Sequence, residues 1–340
     1  MKIKKTLAVI TSTLLIGGVL LTGCGASSQK TSASTGGSPL VGSKNEKYVM
    51  VTFVSGIEYW KGAYKGMQEA AKNLGVSTEY TGATDYDINQ EVTVLDQVIA
   101  QKPAGILLTC INPDALKEPI NQAIAAGIPV VTFDSDSPKS NRYSFLATSN
   151  YAAGAQAAEA LAKLVGGKGN VGVITIPGQQ NHQDRTAGFK DTIAKEFPNM
   201  KVVSVQDGKS DQAASAQAMS SMMQANPDLV GVFATEASSG VGAATAVKEA
   251  GKAGKVHIIS FDTDKGTLDS IKAGVIDATI AQGTWNMGYW GTNFLFNIKH
   301  NLVKPIDGDW KGAKVAPLPP TVDTGVNVVT KDNVKFFYSK

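Results

Sequence analysis

From Tyr48 onward, short apolar segments alternate with segments of helical spacing, and this alternation limits the fold more than any other feature of the sequence. The apolar segment "YVMVTFV" is followed by "YWKGAYKGMQEAAKNLG", in which apolar residues recur at helical spacing up to a glycine. The same order recurs in "GILLTC" and "PDALKEPINQAIAAG", and again in "VGVITI" and "DRTAGFKDTIAKEF". Buried strands that alternate with helices are typical of parallel sheets built from βαβ units. The sequence therefore predicts an α/β fold with doubly wound parallel sheets.

An internal repeat predicts that there are two similar lobes. The segments "GILLTCINPDALKEPINQAIAAGIPVVTFDSD" and "GVFATEASSGVGAATAVKEAGKAGKVHIISFDTD" both run from a strand through a helix to a second strand that ends in Phe-Asp-(Ser/Thr)-Asp. Asp134 in the first segment matches Asp262 in the second. Ligands of open parallel sheets bind beyond the carboxyl ends of the strands. We therefore expect Asp134 and Asp262 to lie on opposite walls of one cleft.

The two acids favour binding over catalysis. A carboxylate pair could perform acid–base chemistry, and a membrane-bound glycosidase is the alternative that follows from it. However, the sequence contains no HExxH, GxSxG or Walker motif and no cluster of metal-ligating Cys and His residues. Carboxylates also accept hydrogen bonds from hydroxyl groups. We therefore predict a binding protein for a polyol, with no enzymatic activity, no cofactor and no metal.

Aromatic and arginine side chains complete the predicted site. Tyr59 and Trp60 follow the first strand, and because neighbours on a helix point about 100° apart, at most one of them is expected in the core. Arginine occurs only at Arg142 and Arg185. Arg185 begins a helix after the strand "VGVITI" and is predicted to bind ligand, since its planar group can bridge two hydroxyls. Arg142 is predicted at the surface or hinge, and His182 at the surface.

The N-terminal segment predicts export. A basic "MKIKK" precedes an apolar stretch that is too short to span a membrane, and "LTGC" follows it. This pattern resembles the lipobox of bacterial lipoproteins, which implies a signal peptide over residues 1–23 and a lipid on Cys24. The segment after it is rich in Ser, Gly and Thr, so residues 24–47 are predicted to be the lipidated cysteine and a flexible tether. An ordinary signal peptide is the alternative. Without the three leader lysines the net charge of +3 becomes zero, so no nucleic-acid partner is expected.

The motifs "GIPVVTFD", "RTAGF", "NPDLVGVFAT", "IISFD" and "ATIAQ" occur in this order, and from Tyr48 to about Lys340 the chain resembles sugar-binding proteins of the ribose/galactose type. These are solute-binding subunits of ABC importers with the type I periplasmic-binding-protein fold. The resemblance implies ligand contacts at Tyr59, Trp60, Asp134, Arg185, Glu236, Asp262 and Gln282. The chain departs from the family pattern at Ser135, Glu236 and Ser210, which implies a smaller and more acidic pocket. Trp285 could supply a ring in compensation.

The resemblance also implies the architecture and the partners. Three crossings near Ser149, Gly283 and Lys311 would join two lobes, the first comprising residues 48–148 and 284–310 and the second 150–282 and 313–340. Hinge closure on a pentose or hexose would present the closed monomer to a permease and, through it, to an ATPase. A sensor that presents its ligand to a chemoreceptor or kinase, or a binder of inositol or a furanone autoinducer, is the alternative.

Overall fold

The computed structural model describes residues 41–309 and 312–338, and their strands form two six-stranded sheets. The strands are β1 (Lys47–Thr52), β2 (Ser77–Gly82), β3 (Gly105–Leu108), β4 (Val130–Phe133), β5 (Phe145–Ala147), β6 (Gly169–Thr175), β7 (Met200–Asp207), β8 (Leu229–Ala234), β9 (His257–Phe261), β10 (Ala278–Gln282), β11 (Thr321–Asp323) and β12 (Val326–Thr330). The helices are α1 (Tyr59–Leu74), α2 (Ile88–Ala100), α3 (Lys117–Ala125), α4 (Asn150–Val165), α5 (Gln180–Glu196), α6 (Gln212–Ala225), α7 (Ala237–Glu249), α8 (Lys265–Lys272) and α9 (Thr284–Lys299), and a 3-10 helix (Val334–Phe336) follows β12.

The sheets confirm the predicted α/β fold with two lobes. The first sheet has the order β11-β5-β4-β3-β1-β2 and is parallel throughout. The second has the order β12-β10-β9-β8-β6-β7, and of its described strands β12 alone runs antiparallel to its neighbour. Every residue of β3 and β4 is buried, as expected for parallel strands that are covered on both faces.

Helices cover both faces of each sheet because successive strand residues point to opposite sides. In the first sheet, Met50 and Leu107 pack with buried residues of α1 and α9. Their neighbours Val49 and Ile106 pack on the other face with residues of α2 and α3. The second sheet likewise carries one hydrophobic cluster on each face. Each lobe therefore has its own hydrophobic core on the two faces of its sheet. The carboxyl ends of its strands lie at the edge of these cores, where ligands of parallel sheets bind.

Glycines allow two helix pairs to approach closely near those strand ends. A Cβ atom on Gly66 of α1 would lie 2.1 Å from the carbonyl oxygen of Trp285 in α9. A Cβ atom on Gly154 of α4 would lie 2.0 Å from the carbonyl oxygen of Arg185 in α5. Contacts this short exclude any larger residue unless the helices separate. The first pair fixes the helix that begins at Tyr59, and the second fixes the helix that carries Arg185.

The chain passes between the sheets at three places, and the third differs from the prediction. The first crossing follows β5 at Thr148 and Ser149, and the second follows β10 at Gly283. The third was predicted near Lys311, which lies outside the described residues, with everything from 313 onward in the second lobe. That placement is wrong, because β11 pairs in parallel with β5 in the first sheet. The chain instead crosses between β11 and β12, at residues 324–325. The physical reason is that β11 pairs with the edge of β5, whose backbone groups would otherwise be unpaired.

Candidate ligand-binding site

Two aspartates stand at equivalent points of the two lobes. Asp134 directly follows β4, and Asp262 directly follows β9. Both have left-handed backbones, with φ of 60° and 63°. The N–H of Asp134 donates to Leu146 O at 3.0 Å, and that of Asp262 donates to Ile280 O at 2.9 Å, each on the adjacent strand. Non-glycine residues in this region are uncommon and concentrate at functional sites. The repeat seen in the sequence therefore extends to an unusual backbone turn that aims both carboxylates.

Tyr59 links the aspartate of the first lobe to the charges of the second. Its hydroxyl donates to Asp134 Oδ1 at 2.6 Å. Burial raises the pKa of Tyr59 well above its ordinary value, and the negative charges of Asp134 and Asp262 raise it further. Asp262 and Tyr59 belong to different lobes, so side chains of both lobes lie within electrostatic reach of one another. Burial also raises the pKa of Asp134, while the Tyr59 hydrogen bond and the Arg185 charge oppose this rise.

Arg185 is buried in the second lobe and is held on several sides. Its Nε donates to Asn150 Oδ1 and its Nη1 to Thr235 O, both at 2.8 Å. The guanidinium carbon lies 3.7 Å from the centre of the Phe261 ring, in a cation–π contact. Only 3 % of the residue is exposed. Its remaining nitrogen, Nη2, has no hydrogen-bond partner among the described residues, so a fixed donor is left over beside the carboxylates.

Asp262 receives its own support from Gln282. Gln282 Nε2 donates to Asp262 Oδ1 at 2.7 Å, and Thr148 Oγ1 donates to Gln282 Oε1 at 2.8 Å. Burial raises the pKa of Asp262 to about 7, although the Arg185 charge and the Gln282 hydrogen bond both lower it. The second oxygen of Asp262 is free of hydrogen bonds from the described residues. The carboxylate therefore keeps acceptor capacity for a ligand.

Two of the predicted ligand contacts, Glu236 and Trp60, form hydrogen bonds that stabilise the protein itself. The carboxylate of Glu236 caps α7, where it accepts the N–H groups of Ser238 at 2.7 Å and Ser239 at 2.6 Å, and also the Ser239 hydroxyl. The indole of Trp60 is fully buried and donates to Val54 O at 2.8 Å. Its ring packs edge-on against Tyr59, so it supports the ring beside it. Direct ligand contacts of Glu236 and Trp60 stay predictions.

Asp136, the second acid after β4, forms its hydrogen bonds within the protein. It accepts two hydrogen bonds from Arg142, at 2.7 Å to Oδ1 and 2.6 Å to Oδ2. Arg142 Nη1 also donates to Pro320 O, just before β11. Arg142 was predicted at the surface or hinge, and its side chain is only 11 % exposed, so the surface alternative was wrong. Asp136 and Arg142 instead tie the segment before β11 to the loop after β4.

Sequence reasoning missed three polar residues around Arg185 and Asp262. Asn150 accepts from Arg185, and Thr148 donates to Gln282, as described above. The third, His182, was expected at the surface but is 4 % exposed and shares a hydrogen bond of 2.9 Å with Thr235 Oγ1. Burial and the Arg185 charge lower the pKa of His182 to about 3, so it adds no second positive charge. The only available signal was the position of Asn150, the first residue of the Ala-rich helix α4.

A cavity of about 660 Å³ opens next to this cluster. Tyr59, Asp262 and Gln282 contribute to its wall, and so does Trp285, which stacks on Tyr289 with 4.6 Å between ring centres. Trp285 is thus an aromatic residue at the cavity, and its contact with a ligand stays a prediction. Within residues 41–309 and 312–338, no helix has the length and apolarity needed to cross a membrane. No group of three or more His, Cys, Asp and Glu residues in the same ranges is placed to hold a metal ion.

Taken together, these features define a class of protein. Two lobes meet at the carboxyl ends of their sheets, and each contributes an aspartate, while a buried arginine and an amide lie between them. Such groups can hydrogen-bond an uncharged polar ligand from both sides. The fold and the site are those of a two-lobed binding protein.

Comparison with known proteins agrees with this class. The family model of the periplasmic binding protein domain matches residues 48–300, and the chain belongs to this family. The chain is similar to AraP, an arabinose binding protein from Geobacillus stearothermophilus, with 55 % identity, coverage of 86 % of this chain and 99 % of that one, and a TM-score of 0.82. The chain is also similar to a sugar-binding protein of a sugar ABC transporter from Bacillus halodurans, with 50 % identity and a TM-score of 0.83. The match covers 86 % of this chain and 100 % of the Bacillus halodurans chain. The xylose/arabinose-binding protein XylF of Sulfolobus acidocaldarius is 26 % identical over 307 residues, which are 85 % of this chain and 72 % of XylF.

Proposed function

We propose that this chain is an extracytoplasmic solute-binding protein that binds a monosaccharide, with the pentose arabinose as the first candidate, and delivers it to an ABC permease. The observation that carries the proposal is the pair of matched aspartates, one from each lobe, around Arg185. Membership in the family and the similarity to AraP support the class of ligand.

Each group has a role toward a sugar. Asp134 and Asp262 accept hydrogen bonds from hydroxyls on opposite sides of the ring. The free Nη2 of Arg185 donates to a ring or hydroxyl oxygen, and Gln282 completes the wall of the second lobe. Tyr59 or Trp285 offers an aromatic face to the C–H groups of the sugar. None of these roles forms or breaks a covalent bond, so the proposal includes no catalysis and no cofactor.

Ligand binding would drive the closure of the hinge. Because neither lobe holds all the groups, the closed arrangement gains contacts that the open one lacks. Converting a population from 1:99 to 99:1 requires about 5.5 kcal/mol of preference for the closed state. Hydrogen bonds to charged groups contribute about 1.5–3 kcal/mol each, so the two aspartates and Arg185 can supply this preference.

The chain would be held at the membrane by a lipid on Cys24. Cys24, the signal peptide and residues 24–40 of the tether lie outside the described residues, so this part of the proposal is supported by the sequence pattern alone. Two acyl chains are enough for stable anchoring of an exported protein.

Isothermal titration calorimetry with arabinose and a panel of other pentoses, hexoses and polyols tests the proposal. We expect Asp134→Ala and Asp262→Ala each to weaken binding by about 10- to 150-fold, the ratio that corresponds to about 1.5–3 kcal/mol. Asp114→Ala is the matched control, since Asp114 is an exposed acid paired with Lys139. Unchanged affinity in either site variant would refute the shared cleft, and absence of any binding by the wild type would refute the sugar ligand.

A further inference from the structure

Thr148 connects the hinge to the proposed site through its side chain. It is 6 % exposed and lies at the first crossing, directly after β5 of the first sheet. Its Oγ1 donates to Oε1 of Gln282, the last residue of β10 in the second sheet, at 2.8 Å. This hydrogen bond therefore joins the two lobes, and it ends on a residue that also contacts Asp262.

The Thr148 hydroxyl determines which way the amide of Gln282 faces. An amide has one accepting oxygen and one donating nitrogen, and an ionised carboxylate can only accept. Gln282 Nε2 must therefore face Asp262 Oδ1, at 2.7 Å, and Oε1 must face a donor. Thr148 is that donor. One orientation satisfies both ends of the chain of hydrogen bonds.

The backbone of the crossing does not depend on this side chain. The N–H of Ser149 donates to Asp323 Oδ1 at 3.1 Å, and the N–H of Thr324 donates to Ala147 O at 2.9 Å. These bonds already tie the first crossing to the third. The Thr148 hydroxyl is thus directed toward the site and is not needed to hold the hinge segments together.

We propose that Thr148 is a positioning residue for ligand binding, which fixes the amide of Gln282 and, through it, the carboxylate of Asp262 when the lobes are closed. The inference rests on the proposed function and deepens it, because it makes a hinge residue part of the binding site.

The charges around Asp262 give this proposal a distinctive readout. Arg185 favours the ionised form of Asp262, whereas Asp264 and Glu236 oppose it, and Tyr59 faces it from the first lobe. The hydrogen bond from Gln282 is a further contribution that lowers the pKa of Asp262. If the amide is released, the pKa of Asp262 rises. The pH below which ligand binding declines would then move upward.

The test compares Thr148→Val, which keeps the shape and removes the hydroxyl, with Thr148→Ser, which keeps the hydroxyl. Thr245→Val is the matched control, because its hydroxyl on α7 donates only to Val241 O, away from the site. Arabinose affinity is measured by calorimetry between pH 6 and pH 8. We expect Thr148→Val to bind about fivefold more weakly at pH 8, as the loss of one neutral hydrogen bond implies, and to lose more at pH 6. Thr148→Ser and Thr245→Val should stay within about twofold of the wild type.

Several results would overturn the proposal. Equal affinity of Thr148→Val and wild type would do so, and so would a uniform loss at all pH values with an unshifted midpoint, because that result indicates a structural role only. If Thr148→Val does not fold, as judged by circular dichroism, Thr148→Ala is measured against the same criteria. Failure of the wild type to bind any sugar is a separate outcome that refutes the proposed function.

Discussion

The pKa of Asp262 predicts that sugar binding depends on pH in the neutral range. An ordinary aspartate, with a pKa of 3.8, is ionised throughout this range, but burial raises the pKa of Asp262 to about 7. A protonated carboxyl loses an acceptor for ligand hydroxyls. Binding should therefore be strongest at pH 8 and above and should weaken as the pH falls through 7. Asp134, whose pKa is also raised, acts in the same direction.

The size of the effect follows from the ionised fraction. With a pKa of about 7, roughly nine tenths of Asp262 is ionised at pH 8 and roughly one tenth at pH 6. If only the ionised form binds sugar, affinity should fall about tenfold between these values, which is about 1.4 kcal/mol. Near pH 7 the free protein is half protonated, so binding should release about half a proton per sugar.

Calorimetry in buffers of different ionisation enthalpy measures both quantities on the wild-type protein. Asp262→Asn should bind more weakly but lose the pH dependence due to this residue. The control is Glu91→Gln, because burial also raises the pKa of Glu91 to about 7. If wild-type affinity is constant from pH 8 to pH 6 with no proton release, or if Glu91→Gln abolishes the effect, the role given to Asp262 is wrong.

Two further predictions concern stability and localisation. Glu91 is fully buried, one of its oxygens accepts the N–H of Ile111 at 2.9 Å, and the other has no partner among the described residues. Since its folded pKa is raised to about 7 from an ordinary 4.5, the contribution of Glu91 to stability should be greatest below pH 4.5 and fall by about 3 kcal/mol as the pH rises from 4.5 to 7. Glu91→Gln should remove that loss, so its thermal unfolding at pH 8 should occur at a higher temperature than that of the wild type. An increase of equal size in the unfolding temperature at pH 4 would contradict this account. Cys24→Ser should release the protein from membranes while arabinose affinity is unchanged, and a variant that still sediments with membranes would disprove the lipid anchor.

The parts of the site that follow strand ends could be predicted from sequence. Asp134 and Asp262 end matching strands in a repeated pattern, and the structure gives them the same backbone turn. Arg185 could be predicted because arginine is rare in this chain and this one follows a strand. For the two aspartates the signal is local, since a buried strand that stops at a charged residue has little packing reason to do so. Arg185 is the sixth residue of α5, so the expectation that it begins the helix was wrong.

Contacts that depend on the crossings could not be predicted. Thr148 and Asn150 reach the site only because the first crossing runs beside β10 and α5, and no local pattern marks this neighbourhood. His182 lies on the polar "NHQD" start of α5, which resembles a solvated helix end, yet Thr235, the residue directly after β8, shares a hydrogen bond with it there. The third crossing was misplaced for a related reason, because β11 is only three residues long and its sequence "TVD" has almost no strand signal.

The position of β11 has a consequence for how the protein is made. β11, one of the two edge strands of the first sheet, is encoded after the nine described α-helices α1 to α9, so a ribosome must finish almost the whole polypeptide before that sheet can be completed. The first sheet therefore stays incomplete while the second lobe is being synthesised. A protein that loses its final segment to truncation or proteolysis would therefore be damaged in its first lobe, far from the cut in sequence.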